Sequence, residues 1–176
     1  YVNPRNRDVQ IEMEKAATAH LTAIGALVDT NYYKKPDFNE QEFEYEASVV
    51  IPVFNREKTI ADAVKSALEQ KTSFKFNLIV VNNHSTDHTG EILESLANEK
   101  LFVIEPDRDD LGIGRCWNMA INDYRCGKFA VQLDSDDLYS STRTLQLIVE
   151  AFHKQKAAMI IGAYRMCDFD LNTLPP

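Results

Sequence analysis

The sequence has few cysteines and no hydrophobic run long enough to cross a membrane. Its three cysteines, Cys116, Cys126 and Cys167, are odd in number and lack the spacing of zinc ligands, which indicates reduced thiols and not a disulfide framework. No apolar stretch approaches the roughly 20 residues that a transmembrane helix needs, and no signal peptide is recognisable. These features predict a cytoplasmic protein.

The sequence also has fewer basic than acidic residues. Lysine and arginine together number 19, against 27 aspartates and glutamates, which gives a net charge of −8. Because nucleic-acid binding depends on neutralising phosphates, this balance predicts no nucleic-acid partner. The 176 residues are enough for one domain with a sizeable core and an extension. The chain begins at Tyr1 and reaches Pro176 without a closing element, so we expect a piece of a longer protein.

Residues 1–46 differ in pattern from the rest and predict a helical extension followed by a connector. From Asp8 to about Thr30, apolar residues recur at the spacing of an amphipathic helix. They are Met13, Ala16, Ala17, Leu21, Ile24, Leu27 and Val28. This apolar stripe must pack on its own domain, on a partner or on a missing region. The polar, acidic and aromatic segment Asn31–Glu46 is the predicted connector.

From Ala47 onward, short β-rich runs alternate with helical patterns. The predicted strands are Ser48–Phe54, Phe76–Val81, Leu101–Ile104, a buried strand that begins at Phe129, and Ala158–Ile161. Strands that alternate with helices at this spacing predict βαβ units and a mostly parallel sheet. Right-handed crossovers then place the polar loops that follow the strands on one rim. A nucleotide or sugar-phosphate site at that rim fits this pattern.

Two glycine-rich phosphate-binding motifs are missing. No G-x-x-x-x-G-K-[ST] occurs, which argues against a P-loop protein, and no G-x-G-x-x-G follows the first predicted strand, which argues against a dinucleotide-dependent dehydrogenase.

Three carboxylates, Asp134, Asp136 and Asp137, follow the strand that begins at Phe129. Asp134 and Asp136 are separated only by Ser135, so on an extended or turning backbone they project to the same side. This arrangement suits them to hold one hard divalent cation through oxygen, with positions left for water and phosphate. An ordinary helix N-cap is the alternative, and the motif taken alone favours it.

Four segments stand in a fixed order: SVVIPVFN, LIVVNNHSTD, LGIGRCWNMAI and FAVQLDSDDLY. In that order they resemble the family 2 glycosyltransferases, inverting enzymes with the GT-A fold, over about residues 47–162. The resemblance implies an α/β fold of the GT-A type, a Rossmann-like three-layer sandwich whose mostly parallel sheet carries helices on both faces. Residues 47–176 are then the nucleotide-sugar-binding part of the GT-A domain, and residues 1–46 are its N-terminal helical extension.

The resemblance also implies residues that bind the donor. Pro52, Phe54 and Asn55 match the loop that wraps the nucleobase and ribose. Asn82 matches a position usually held by Asp, which hydrogen-bonds the uracil imide, and its amide oxygen can still accept that bond. Asn83 matches a position where Asp and Asn are both common.

Further contacts implied by the resemblance lie closer to the phosphates. Asp136 resembles the direct ligand of a Mn²⁺ or Mg²⁺ ion, and Asp134 resembles the first acid of the D-x-D motif, near the ribose or the metal. Ser135 between them belongs to the same donor-binding segment. Gly112 and Arg115 lie in a loop that borders the donor in this family.

The function implied by the resemblance is transfer of a sugar from a nucleoside-diphosphate donor, a UDP-sugar first, to an acceptor hydroxyl. The transfer is metal-assisted and inverting, and it serves polysaccharide or glycoconjugate synthesis. The acceptor is a saccharide or is lipid-linked, and some enzymes of this kind associate peripherally with the inner face of the membrane. In the family the catalytic base lies downstream of the D-x-D motif, so we expect it beyond Pro176.

Two other functions compete with this interpretation. A sugar-phosphate nucleotidyltransferase shares the layered sheet, but it needs a glycine-rich basic loop after the first strand, and Phe54–Lys58 has no glycine. A non-catalytic nucleotide-sugar-binding or assembly module also fits, with the apolar stripe of the N-terminal helix as its partner surface.

Overall fold

The computed structural model describes residues 7–29, 31 and 42–174, and it divides the chain into two compact units, Tyr1–Gln41 and Glu42–Pro176. The elements in chain order are α1 (Arg7–Ala23), β1 (Ala47–Val53), α2 (Ile60–Leu68), β2 (Phe76–Asn82), α3 (Thr89–Ser95), β3 (Leu101–Ile104), α4 (Ile113–Ile121), β4 (Phe129–Gln132) and α5 (Thr144–Gln155). Within the described ranges, no helix combines the length and the apolar character that a membrane crossing requires.

The first unit contains helix α1, which ends earlier than predicted. Gly25 adopts a positive φ of 70°, and the amides of Ala26 and Leu27 both donate to the carbonyl of Leu21. A left-handed glycine with such backward bonds is a common helix terminator. The apolar periodicity continues through Val28, but the helix does not. Thr30 and most of the predicted connector lie outside the described residues.

The second unit contains a four-stranded sheet in the order β3-β2-β1-β4, with every pair parallel. Helices α2, α3 and α5 contribute to the core on one face, against side chains such as Ile51 and Val80. Helix α4 covers the other face, against Val50 and Ile79. The predicted three-layer α/β arrangement is therefore confirmed. Strands β1 and β2 are buried at every position because they have neighbours on both edges and both faces.

Strand β4 is less buried than predicted. Val131 and Leu133 are buried, whereas Ala130 and Gln132 between and beside them are exposed. Among the described residues β4 pairs only with β1, so it is an edge strand with one face covered, and its burial alternates.

The last predicted strand, Ala158–Ile161, is not a strand in the structure. The segment has no regular structure, and Met159 and Ile161 are 73% and 83% exposed. Its β-rich composition is not sufficient, because strand formation depends on a neighbouring strand and a covered face, and the described part of the chain offers this segment neither.

A buried polar network joins the amino ends of the central strands to β4. Ser48 Oγ donates to Asn77 Oδ1 and accepts the backbone N–H of Gly127 at 2.7 Å. Asn77 Nδ2 donates to the carbonyl of Arg125 at 2.8 Å. These bonds hold the chain that leads into β4 against β1, and so they help to place the acidic segment at the opposite end of the strand.

Candidate nucleotide-sugar site

The loops after the four parallel strands lie at the carboxyl edge of the sheet, as predicted. The chain runs from β1 to β2 to β3 on one side, and β4 returns to the other side of β1. The strand order therefore reverses between β1 and β4, which is the position where open α/β sheets bind ligands. The loop after β1 and the acidic segment after β4 flank that position.

The acidic segment forms a tight turn and not a helix cap. The amide of Asp137 donates to the carbonyl of Asp134 at 3.0 Å, which closes the turn. Ser135 is buried, whereas Asp134 and Asp136 are exposed. Helix α5 does not begin until Thr144, so the N-cap alternative does not apply to these acids. The turn presents both carboxylates to solvent.

The electrostatics of the turn suit a cation. Partial burial, together with the negative charges of Asp134 and Asp136, raises the pKa of the Asp137 carboxyl. The carboxylates of the turn are hard oxygen donors, the ligand type that Mg²⁺ and Mn²⁺ prefer. Within the described residues, no group of three or more His, Cys, Asp or Glu side chains is arranged so that it could hold a metal ion by itself. A cation held here would therefore take further ligands from water and from a phosphate.

Arg56, in the loop after β1, reaches the acidic turn. Its Nε lies 3.7 Å from Oδ2 of Asp136, and its Nη1 donates to the carbonyls of Asn55 at 3.2 Å and Phe54 at 3.5 Å. Sequence reasoning missed this contact, because the two residues are far apart along the chain and only the parallel pairing of β1 with β4 brings them together.

Two residues predicted to bind the donor, Phe54 and Asn55, follow β1 and lie in different environments. Asn55 has a positive φ of 51°, and its Oδ1 accepts from the amide of Thr86 at 2.7 Å while its own amide donates to Ser85 Oγ at 3.0 Å. Asn55 therefore clamps the loops after β1 and β2 together. Phe54 beside it is 53% exposed, so its ring is available at the rim.

Pro52 lies inside β1 and is buried there. The carbonyl of Val50 accepts from Leu133, after β4, and the carbonyl of Val53 accepts from Asn83, after β2. Because backbone groups alternate in direction along a strand, the nitrogen of Pro52 faces the β4 side. The β1–β4 ladder ends at Val50, so a residue without an N–H is tolerated at this point.

Asn82 and Asn83, at the end of β2, differ in their hydrogen bonds. Asn82 is 3% exposed, its Nδ2 donates to Oε1 of Glu105 at 3.3 Å, and its Oδ1 accepts from the amide of Ser85 at 3.3 Å. Asn83 Nδ2 donates to the carbonyl of Leu111 at 2.7 Å, which identifies the other amide atom as the oxygen. That Oδ1 is buried and has no hydrogen-bond partner among the described residues.

We expect Asn82→Asp to lower the free energy of unfolding at neutral pH by about 1 kcal/mol. The substitution removes the donor to Glu105 and sets two carboxylates against each other. Their repulsion raises the folded-state pKa of the pair, so the loss is present at pH 7 and is relieved as the pH falls through that raised pKa. Urea unfolding at pH 7 and pH 4.5 measures both effects.

The matched control for this substitution is Glu105→Gln in the Asn82→Asp background. It restores a donor opposite the new acid and is expected to recover most of the stability at pH 7. A pH-independent loss, or no recovery in the double variant, would contradict the assigned contact.

The loop after β3 borders a second feature, a shallow open groove of about 620 Å³ lined by His84, Asp107, Arg108, Asp109 and Asp110. A hydrogen bond from Arg108 lowers the pKa of Asp110, and the charge of Arg115 contributes. Gly112 is the N-cap residue of α4, and Arg115 is exposed in its first turn. Within the described residues, no hydrogen bond or ion pair joins Arg115 to the acidic turn.

The family model for Glycosyl transferase family 2 matches residues 48–176. The chain therefore belongs to glycosyltransferase family 2, which confirms the resemblance.

Similar proteins come from several bacteria. The minor teichoic acid biosynthesis protein GgaB of Bacillus subtilis is 28% identical over 127 residues, which are 71% of this chain and 14% of the relative. The poly(ribitol-phosphate) beta-N-acetylglucosaminyltransferase TarS of Staphylococcus aureus is 34% identical over 101 residues, 56% of this chain and 17% of the relative. The Escherichia coli glucosyltransferase WfgD, named for UDP-Glc and alpha-D-GlcNAc-diphosphoundecaprenol, is 30% identical over 125 residues, 70% of this chain and 47% of the relative.

Two solved structures share the fold. S. aureus TarS 1-349 in complex with UDP-GlcNAc superposes with a TM-score of 0.55 at 30% identity, covering 63% of this chain and 32% of that one. The mannosyltransferase PcManGT of Pyrobaculum calidifontis, in complex with GDP-Man and Mn²⁺, has a TM-score of 0.53 at 21% identity and covers 62% of this chain and 33% of that one. The expected GT-A fold is confirmed, and the chain spans less than half the length of each of these proteins.

Proposed function

We propose that this chain is the donor-binding part of a glycosyltransferase that moves a sugar from UDP to an acceptor hydroxyl with inversion. The observation that carries the proposal is the turn Asp134–Asp137, which presents exposed carboxylates where the strand order reverses. The relatives named for UDP-Glc transfer and solved with UDP-GlcNAc support a uridine donor.

The residues around the turn have distinct proposed roles. Asp136 and Asp134 would hold a divalent cation together with the donor diphosphate. Bound there, Mn²⁺ or Mg²⁺ would supply Lewis-acid stabilisation of the charge that develops on the leaving phosphate. Ser135, which is buried between the two acids, would anchor the turn. Gly112 and Arg115 remain proposed donor contacts at the neighbouring loop.

The nucleobase would lie between the loops after β1 and β2. Phe54 offers an exposed ring for the base to pack on, and Asn55 and Asn82 hold the loops. The buried Oδ1 of Asn83, which has no partner among the described residues, would accept the imide N–H of uracil. Cytosine has an acceptor at the same ring position, so it would leave this oxygen unpaired. We therefore propose that Asn83 recognises the base and that Asn82, the residue that the resemblance indicated, has a supporting role.

Inverting transfer also needs a carboxylate to deprotonate the acceptor. The late acid Asp168 is a poor candidate, because hydrogen bonds from Asn172 and from the amide of Asp170 lower its pKa and so weaken it as a base. We assign no catalytic base to the described residues. The acceptor class that we propose is a saccharide, free or lipid-linked, which the GlcNAc-diphosphoundecaprenol in the name of WfgD supports.

Calorimetric titration of the chain with UDP, GDP and CDP, each with and without Mn²⁺, tests the proposal. We expect UDP to bind only with Mn²⁺ and CDP to bind more weakly. Absence of binding by all three nucleotides would overturn the proposed function, and metal-dependent preference for GDP or CDP would overturn the uridine assignment.

Asn83→Ala is expected to weaken UDP binding at saturating Mn²⁺ by about tenfold, the effect of removing one buried hydrogen-bond partner. Pyrophosphate with Mn²⁺ serves as the control ligand, because it lacks the base and should bind the variant and the parent chain equally. Equal losses for UDP and pyrophosphate would show that the substitution disturbs the whole site and that Asn83 does not read the base.

A further inference from the structure

We propose that Arg56 is an exchangeable counter-ion: it pairs with Asp136 when the site is empty and transfers to the donor diphosphate when a divalent cation occupies that acid. The inference rests on the proposed function, since it takes Asp136 as a metal ligand. In this inference Arg56 sets the order in which the ligands bind. It weakens the binding of the metal ion alone and strengthens the binding of the metal ion together with the nucleotide.

The backbone of Arg56 is fixed close to the acidic turn. Its amide donates to Oγ1 of Thr89 at 2.9 Å, and Thr89 is fully buried at the start of α3. The preceding residue, Asn55, is held to the loop after β2 by hydrogen bonds: it donates to Ser85 Oγ and Thr86 Oγ1, and its Oδ1 accepts from the amide of Thr86. The Arg56 side chain therefore extends from a fixed backbone position close to the turn.

The guanidinium of Arg56 has a loose set of partners. Its contact with Asp136 is 3.7 Å, and both side chains are about half exposed, at 49% and 54%. Its two backbone acceptors lie at 3.2 and 3.5 Å. Pairs this open contribute little, typically a factor of about two to five in an equilibrium constant. The contact is strong enough to place the side chain and weak enough to be displaced.

The other charges nearby do not compete for Arg56. The carboxylate of Glu57, the next residue, accepts from the amide of His88 at 3.2 Å, and the amide of Glu57 donates to Asp87 at 3.1 Å. Asp136 is thus the only acid that forms an ion pair with Arg56 within the described residues. A cation that binds Asp136 must compete with this guanidinium directly.

Displacement leaves Arg56 next to the phosphates. A metal ion on Asp136 would take its remaining ligands from water and from the diphosphate, which brings anionic oxygens to the position that the guanidinium already borders. Guanidinium groups bind phosphate through paired, charge-assisted hydrogen bonds, which are stronger than the open pair with Asp136. The exchange therefore lowers the free energy only when the metal ion and the diphosphate bind together.

The test compares Arg56→Gln, Arg56→Lys and the parent 176-residue chain in three titrations: Mn²⁺ alone, UDP at saturating Mn²⁺, and uridine. For Arg56→Gln we expect Mn²⁺ alone to bind about two- to fivefold more tightly, UDP to bind about tenfold more weakly, and the affinity for uridine to be unchanged. Arg56→Lys keeps the charge, so it should restore the parent affinity for Mn²⁺ but only part of the affinity for UDP.

Lys58→Gln is the matched control. Lys58 belongs to the same loop and is exposed, and within the described residues it forms no ion pair, so its removal changes the net charge equally and should leave all three affinities within about twofold. If Arg56 has a purely structural role, Arg56→Gln would weaken the binding of both Mn²⁺ and UDP. If Arg56→Gln and Lys58→Gln have equal effects, the change in net charge alone would explain the result. Either outcome overturns the exchange. If the parent chain binds no UDP with Mn²⁺, the proposed function itself fails; if it binds and Arg56→Gln leaves both affinities unchanged, only this inference fails.

Discussion

Asp136→Asn is expected to reduce the affinity for UDP in the presence of Mn²⁺ by about 100-fold or more, and to abolish the metal dependence of binding. Changes to residues that merely support a metal ligand cost 10- to 100-fold, so loss of a direct ligand should cost at least as much. The substitution preserves the shape of the side chain. The turn is closed by the backbone bond from Asp137 to Asp134, which does not involve the Asp136 carboxylate, so the fold should be unaffected.

Isothermal titration of UDP with and without Mn²⁺ measures this effect. Asp62→Asn is the control, because Asp62 is an exposed acid on α2 and its removal changes the net charge by the same amount. Unchanged affinity in Asp136→Asn, or an equal loss in the control, would contradict the metal-ligand assignment. Thermal unfolding of both variants at the parent temperature would confirm that binding, and not folding, has changed.

Gly127→Ala is expected to lower the free energy of unfolding by about 2–3 kcal/mol, in the range typical of overpacking a tight site. A Cβ atom at Gly127 would lie 2.8 Å from the carbonyl oxygen of Tyr45 and 2.9 Å from the carbonyl carbon of Ala47. Both neighbours are backbone atoms and cannot move aside like a flexible side chain. Relief would require β4 to separate from β1, with loss of the bond from the Gly127 amide to Ser48.

Gly114→Ala is the matched control for this substitution. Gly114 lies in α4, and a Cβ there would meet no atom within 4 Å, so alanine should be neutral or stabilising by up to about 1 kcal/mol through its helix propensity. Chemical denaturation of both variants separates the two effects. If Gly127→Ala unfolds at the same denaturant concentration as the parent chain, the close packing of β4 on β1 is not what holds this end of the sheet.

Much of the fold could be predicted from the sequence because its signals are local. The runs that became β1 and β2 are continuous apolar segments, as expected for strands covered on both faces. The helical pattern predicted after the first strand became α2, whose buried residues recur at helical spacing: Ile60, Ala63, Val64 and Ala67. The four ordered segments were sufficient to indicate the family. Each of these signals depends on nearest neighbours along the chain, and the order of the segments adds the topology.

The predictions were wrong where the conformation or burial of a segment depends on more than its own composition and periodicity. Ala158–Ile161 has the composition of a strand, but it has no strand partner among the described residues. Helix α1 ends at Ala23, just before the left-handed Gly25, although the apolar periodicity continues. The predicted burial of β4 failed for a related reason, since edge position cannot be inferred from the strand's own residues.

The sequence by itself determined the class of this protein: a parallel α/β sheet, its family, and an acidic motif at the rim of that sheet. Only the tertiary structure decided how the rim residues are arranged and which contacts they make. It showed that Asp134–Asp137 is a turn and not a cap, that Asn82 is engaged while Asn83 has a free oxygen, and that Arg56 lies against Asp136. The physical reason is that periodicity and composition report on burial, which is local, whereas hydrogen bonds and ion pairs between loops depend on the register and order of strands that are far apart in the chain.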